Sequence, residues 1–252
     1  MVRRRRDQFQ LNIRRGKVRN LGNNPAIGLE HDDLVRIIAV VFDLEGFTDF
    51  FDKAGTNKNI IVASYINGFL DWLNFRLDAE KDRLPKPRLS KFLGDGILYI
   101  FEAQRRDGRK RTIQQIALDL MNFCWNLTRG RDRYEVDFLR EFVSRIGRKW
   151  DCEFPKHLRA SLATGHAVKY VKRGGSVEYV SECINIASRL SKLHNELYFV
   201  AHSDLVFGGE TRTAQYIEKR TRIRGISKLI SVFLDKDDFE GIQDKSIFQN
   251  KS

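Results

Sequence analysis

Two segments of this chain each join an apolar run to an aspartate at a glycine turn. The first, Ile37-Ile-Ala-Val-Val-Phe-Asp-Leu-Glu-Gly-Phe-Thr48, turns sharply at Gly46, and the second lies within Leu89-Ser-Lys-Phe-Leu-Gly-Asp-Gly-Ile-Leu-Tyr-Ile-Phe101, folded at Gly94-Asp95-Gly96. Short continuous apolar runs bounded by turn residues read as buried strands. Adjacent strands ending this way hang Asp43 and Asp95 side by side, as a candidate two-metal site for phosphate chemistry, because hard divalent cations take oxygen ligands. Asp43 alone reads as a turn or helix-capping residue. The second acid favours the metal reading.

The rest of the chain supports one elaborated domain. Residues 1–34 lack apolar periodicity and carry Gly22, Asn23, Asn24 and Pro25, so a basic arm is expected there and a globular unit over 35–234. Helical spacing runs from Ile60 to Leu77 after a break near Gly55, and a hairpin is expected over Lys86 to Phe101. The segment 104–150 reads as a helical insertion of two amphipathic helices, one carrying Ile113 to Leu127 and the other Val136 to Ile146. Alternation returns in Leu158 to Thr164 and in Ala167 to Val171. A helix is expected over Cys183 to His194, a strand over Leu197 to Ala201, and a hairpin over Thr221 to Leu234 turned near Gly225. Residues 235–252 read as a polar tail. Strand, helix, hairpin, helix, strand is the order of a ferredoxin-like βαββαβ sheet, an α/β (α+β) fold.

The net charge of +12 is concentrated in Arg3 to Arg6, Arg14 to Arg19, Arg105 to Arg111 and Arg129 to Arg133. Such a field draws nucleoside triphosphates, nucleic acid or an anionic membrane. The basic segments lack interleaved aromatics and a recognised binding module, which disfavours nucleic acid, and the N-terminal run reads as a solvated or partner-clamping arm. No apolar stretch is long enough to cross a bilayer, and the arginine run does not lead into an export signal. Cys124, Cys152 and Cys183 are odd in number and widely spaced, which suits reduced thiols in a cytoplasm.

Three segments carry a family resemblance. The first run resembles the Phe-x-Asp-(Ile/Leu)-x-Gly-Phe-(Thr/Ser) element of class III nucleotidyl cyclases, and the second resembles their Lys-x-x-Gly-Asp element. Val177-Glu-Tyr-Val-Ser-Glu-Cys-Ile-Asn-Ile-Ala-Ser-Arg-Leu190 is similar to their Asp-Tyr-x-Gly-x-x-Val-Asn-x-Ala-(Ala/Ser)-Arg-Leu element. All three occur in the family's order, within a resemblance spanning about residues 35 to 234.

The resemblance implies a ferredoxin-like core and attack of a ribose 3′-hydroxyl on the α-phosphate of its own nucleotide. It assigns two divalent ions, Mg²⁺ or Mn²⁺, to Asp43, Asp95 and the Leu44 carbonyl, and the β- and γ-phosphates to backbone N–H groups of Gly46, Phe47 and Thr48. Asn185 would orient the ribose and Arg189 would meet charge building on the α-phosphate. Of the basic residues around Gly225, Arg224 is the expected triphosphate clamp over Arg222 and Lys228. A homodimer with sites at the interface is implied.

Lys91 and Glu178 fall at the two base-reading positions. A donor beside an acceptor serves adenine, cytosine or uracil and disfavours guanine. Phe42 to Thr48, Cys183 to Leu190 and the helical insertion further resemble the pyrimidine cyclases of bacterial Pycsar anti-phage systems. That resemblance implies conversion of UTP or CTP, with UTP favoured slightly, to a cyclic product read by a separate effector protein. Phe50 or Phe51 would narrow the pocket against a purine, although helix aromatics are more often core. An adenylyl cyclase and a non-catalytic nucleotide- or nucleic-acid-binding module are the alternatives.

Overall fold

The computed structural model describes residues 33–54, 58–102, 105–106, 109–110, 112–146, 153–172, 174–205 and 215–250. Strand β1 (Asp33–Glu45) is followed by two helices, α1 (Phe47–Lys53) and α2 (Lys58–Ala79), and by a hairpin of β2 (Leu89–Phe92) and β3 (Gly96–Glu102). A two-residue pair, β4 (Arg105–Arg106) and β5 (Arg109–Lys110), precedes α3 (Ile113–Thr128), and a π-turn at Glu135–Leu139 leads into α4 (Arg140–Ile146). The chain continues through β6 (His157–Val171), β7 (Val177–Val180), α5 (Glu182–Leu190), β8 (Phe199–His202), β9 (Tyr216–Thr221), β10 (Ile230–Asp235), α6 (Lys236–Gly241) and β11 (Phe248–Gln249).

Among the described residues these strands form a nine-stranded sheet of order β11-β9-β10-β8-β6-β1-β3-β2, with β7 also on β6. The segment β6-β1-β3-β2 is the expected ferredoxin-like unit, antiparallel throughout. Strand β1 is central and covered on both faces, which is why its sequence is a continuous apolar run rather than an alternation. Ile38, Val40, Phe42 and Leu44 face a core shared with α1, α2 and α3, whereas Ile37, Ala39 and Val41 face the core under α5.

The segment 104–150, expected as an insertion, divides in two. Helix α3 takes the second helical position of the βαββαβ unit, its buried face packed in the core that β1 and β6 share, and it starts at a capping box of Thr112 and Gln115. The Tyr134–Ile146 piece is the addition. It is fixed by aromatic contacts from Tyr134, Phe138 and Phe142 to Tyr65, Phe69 and Trp72 of α2.

Strand β6 is one continuous element where two alternating stretches were expected. It pairs with β1 along its length, with β8 near its start and with β7 at its end. The basic arm lies outside the described residues except for its last two, Asp33 and Leu34, which open β1; the break at 55–57 and Cys152 also lie outside. Cys124 and Cys183 are free and buried.

The segment after 234 is not a free polar tail. Asp235 caps α6 through the Asp238 N–H and takes a 2.7 Å hydrogen bond from the Trp125 indole on α3. Phe239 and Ile242 are buried, and β11 pairs with β9. Phe239→Ala is therefore expected to cost about 3 kcal/mol of unfolding free energy in urea titration. A loss below about 1 kcal/mol would mean that this segment contributes no core.

Candidate active site

Asp43 sits near the end of β1, opposite Gly96 on β3 and Arg159 on β6. The two strands close tightly here, and a Cβ on Gly96 would run into the Phe42 carbonyl, so this position requires glycine. The Leu44 N–H donates to the Asp95 carbonyl at 2.8 Å, joining the turn that carries Asp95 to the strand that carries Asp43. Side-chain alternation directs Asp43 to the face covered by α5 while Leu44 packs into the opposite core.

Asp43 is only 7% exposed. Its carboxyl is pushed up to about 6, first by burial and then by the charge of Asp95, against the opposing pull of Lys192 and Arg159. Lys192, just past the end of α5, places its Nζ 3.3 Å from Asp95 Oδ2. Arg159 is buried, pairs with Glu45 at 2.8 Å and donates to the Asn195 carbonyl at 3.0 Å. The two aspartates supply oxygen donors, and a cationic side chain already rests against one of them. Carboxylate oxygens are the ligands a divalent cation takes, but among the described residues no group of three His, Cys, Asp or Glu side chains is placed to hold one, so backbone carbonyls would have to complete the set.

Neither cation was singled out from the sequence. Arg159 carried a signal, since it is a charged residue inside an otherwise apolar strand, His157-Leu-Arg-Ala-Ser-Leu162. Lys192 carried none, because its partner is distant in the chain.

The two positions expected to read the base converge. Lys91 on β2 lies 3.8 Å from Glu178 on β7, and Lys172 donates to the other oxygen of Glu178 at 2.7 Å. That hydrogen bond leads the causes that hold the Glu178 carboxyl below its usual range, with Lys91 adding to them.

Asn185 and Arg189 project from the exposed face of α5 into a cavity of about 300 Å³ that is also lined by Glu182, Gly225, Ile226, Ser227 and Lys228. The lining includes neither aspartate. Of the basic residues around Gly225, the lining includes Lys228. Gly225 has a φ of +78°, and a Cβ there would collide with the Arg189 guanidinium. The glycine is thus both the turn and the floor on which that guanidinium lies.

Gly46 caps α1 in the left-handed region, Phe47 is buried and Thr48 is exposed. They adjoin a second cavity, of about 280 Å³, whose lining includes Glu45, Gly46, Lys53, Lys156 and His157. Phe50 is core, packed among Phe47, Tyr65 and Phe154, whereas Phe51 is exposed.

The fold is similar to that of the adenylyl cyclase CyaB from P. aeruginosa, with a TM-score of 0.57 at 14% identity over 81% of this chain and 95% of that one. It is likewise similar to the guanylyl cyclase Cya2, with a TM-score of 0.55 at 13% identity over 81% of this chain and 93% of that one. No family model matches the chain, and no curated protein matches it. Among the described residues no helix is long and apolar enough to cross a membrane.

The raised carboxyl of Asp43 has a consequence for stability. The folded state binds this proton more tightly than the unfolded chain does, so the group costs nothing below the unfolded value and its full penalty appears above the folded one. With the carboxyl moved from 3.8 to about 6, that penalty is about 3 kcal/mol. In chelator, Asp43→Asn should be more stable than the parent at about pH 8 by up to that amount, and the two should converge below about pH 4. Denaturant titrations across pH test this; a difference between the two proteins that does not grow from about pH 4 to about pH 8 would contradict it.

Proposed function

We propose that this chain is a nucleotide cyclase acting on a pyrimidine triphosphate, UTP ahead of CTP, and that its cyclic product is a signal in anti-phage defence read by a separate effector protein. The observation that carries the cyclase reading is the junction of Asp43 and Asp95 on a fold similar to those of two cyclases. The pyrimidine preference rests on the resemblance of the three motif segments, and on Lys91 and Glu178, a donor and an acceptor brought together. The same pair also accommodates adenine, which keeps an adenylyl cyclase as the second reading.

In this proposal Asp43, Asp95 and the Leu44 carbonyl hold two Mg²⁺ or Mn²⁺ ions. When bound, such ions neutralise the triphosphate and make the ribose hydroxyl more acidic. Asn185 orients the ribose. The ribose 3′-hydroxyl gives up its proton to solvent as its oxygen bonds to the α-phosphorus, the bond from that phosphorus to the bridging oxygen of the β-phosphate breaks, and pyrophosphate leaves. Arg189, laid flat on Gly225, meets the charge that builds on the α-phosphate. Lys228 replaces Arg224 as the triphosphate clamp, because it shares the cavity with Arg189. The N–H groups of Gly46, Phe47 and Thr48 remain candidates for the terminal phosphates.

Asn185 and Arg189 line a cavity that holds neither aspartate, so one copy presents two half-sites. A head-to-tail homodimer would complete both.

Supplied with all four triphosphates and Mn²⁺, the purified protein should release pyrophosphate with UTP or CTP, and Asp43→Ala and Asp95→Ala should each abolish turnover without unfolding. Cyclic AMP as the sole product would remove the pyrimidine assignment, and near-normal turnover by either variant would remove the metal assignment.

Asp43→Ala and Arg189→Ala should each be nearly dead alone. Mixed with subunit exchange, they should recover about a quarter of wild-type sites, since half the dimers are mixed and each holds one intact site. Exchange without recovery would place each whole site within one chain.

A further inference from the structure

Two cations influence the aspartate pair, and they are held differently. Arg159 is buried and committed, with its guanidinium shared between Glu45 and the Asn195 carbonyl. Lys192 has a side chain 63% exposed and forms an ion pair with Asp95 at 3.3 Å. Its backbone N–H bonds to the Arg189 carbonyl, so it belongs to the turn that ends the helix bearing Asn185 and Arg189. An ammonium group at this distance satisfies part of the negative charge that a divalent ion would otherwise satisfy. Such a pair between exposed groups is worth no more than about 1 kcal/mol. A divalent ion with hard oxygen ligands outcompetes it, although at reduced affinity.

We propose that Lys192 is a built-in counter-ion of the carboxylate pair, which occupies Asp95 in the unloaded chain and must be released from it when a divalent cation binds. The inference rests on the metal-binding reading of Asp43 and Asp95. Release would free the ammonium group beside Arg189, one turn from the cavity where a triphosphate is proposed to lie. In the proposed head-to-tail dimer each pair of aspartates is completed by the other copy's Asn185 and Arg189, so cation binding at one site would free a positive charge beside the second.

The test is a titration of the full chain with Mn²⁺ alone at about 0.1 M ionic strength, where the screening length is about 10 Å, reading free Mn²⁺ by electron paramagnetic resonance and using no substrate. Lys192→Met keeps the length of the side chain and removes its charge. It should bind Mn²⁺ roughly three- to tenfold more tightly than the parent, since it loses both a competitor and a like-charge repulsion. Lys236→Met removes the same charge from α6 and should change binding by less than about twofold, because exposed charges far from the site are screened. Equal or weaker binding by Lys192→Met, with binding lost in Asp95→Asn, would overturn the role of Lys192 and leave the metal site standing. Absence of binding in the parent and in Lys192→Met alike would overturn both.

Discussion

The hydrogen bond from the Leu44 N–H to the Asp95 carbonyl is the constraint around which the candidate site is arranged. It continues the β1–β3 ladder one step past its last register pair, Asp43 opposite Gly96. The two residues are therefore fixed at neighbouring backbone positions, where the charge of Asp95 raises the Asp43 carboxyl. The glycine allows the close approach, and the buried position of Asp43 keeps water from screening it. An antiparallel sheet has no need of two acids at such a junction, and burying one is unfavourable unless a cation is supplied. Arg159 supplies part of that charge from one neighbouring strand, and Lys192 supplies part from the end of α5.

The central unit was legible because its signals are local. Strand β1 announces its burial on both faces by an unbroken apolar run, and α5 announces its one-sided burial by Cys183, Ile186, Ala187 and Leu190 at helical spacing. The turns at Gly46, at Gly94 to Gly96 and at Gly225 were likewise written in the residues that adopt them. What was missed depends on partners far apart in sequence. Phe239 and Ile242 sit among charged neighbours, and only the pairing of β11 on β9 and the Asp235 contact to Trp125 show that this segment belongs to the core. Helix α3 had the expected pattern, but its place as a core helix rather than an insertion follows from which face of the sheet it covers.

The base-reading pair shows how far charge alone carries specificity. Glu178 is held between two lysines, and the Lys172 hydrogen bond keeps its carboxylate ionised and accepting. An acceptor-only group beside an ammonium donor fixes the polarity of the edge it meets: the base must offer one N–H and one acceptor in that order. Cytosine and adenine do so through an exocyclic amine and a ring nitrogen, and uracil through its ring N–H and a carbonyl. Ring size is invisible to these two groups. Of the two helix aromatics expected to report it, Phe50 is locked among Phe47, Tyr65 and Phe154, and Phe51 is exposed on α1. Discrimination between a one-ring and a two-ring base in the proposed site is therefore carried neither by the Lys91–Glu178 pair nor by Phe50.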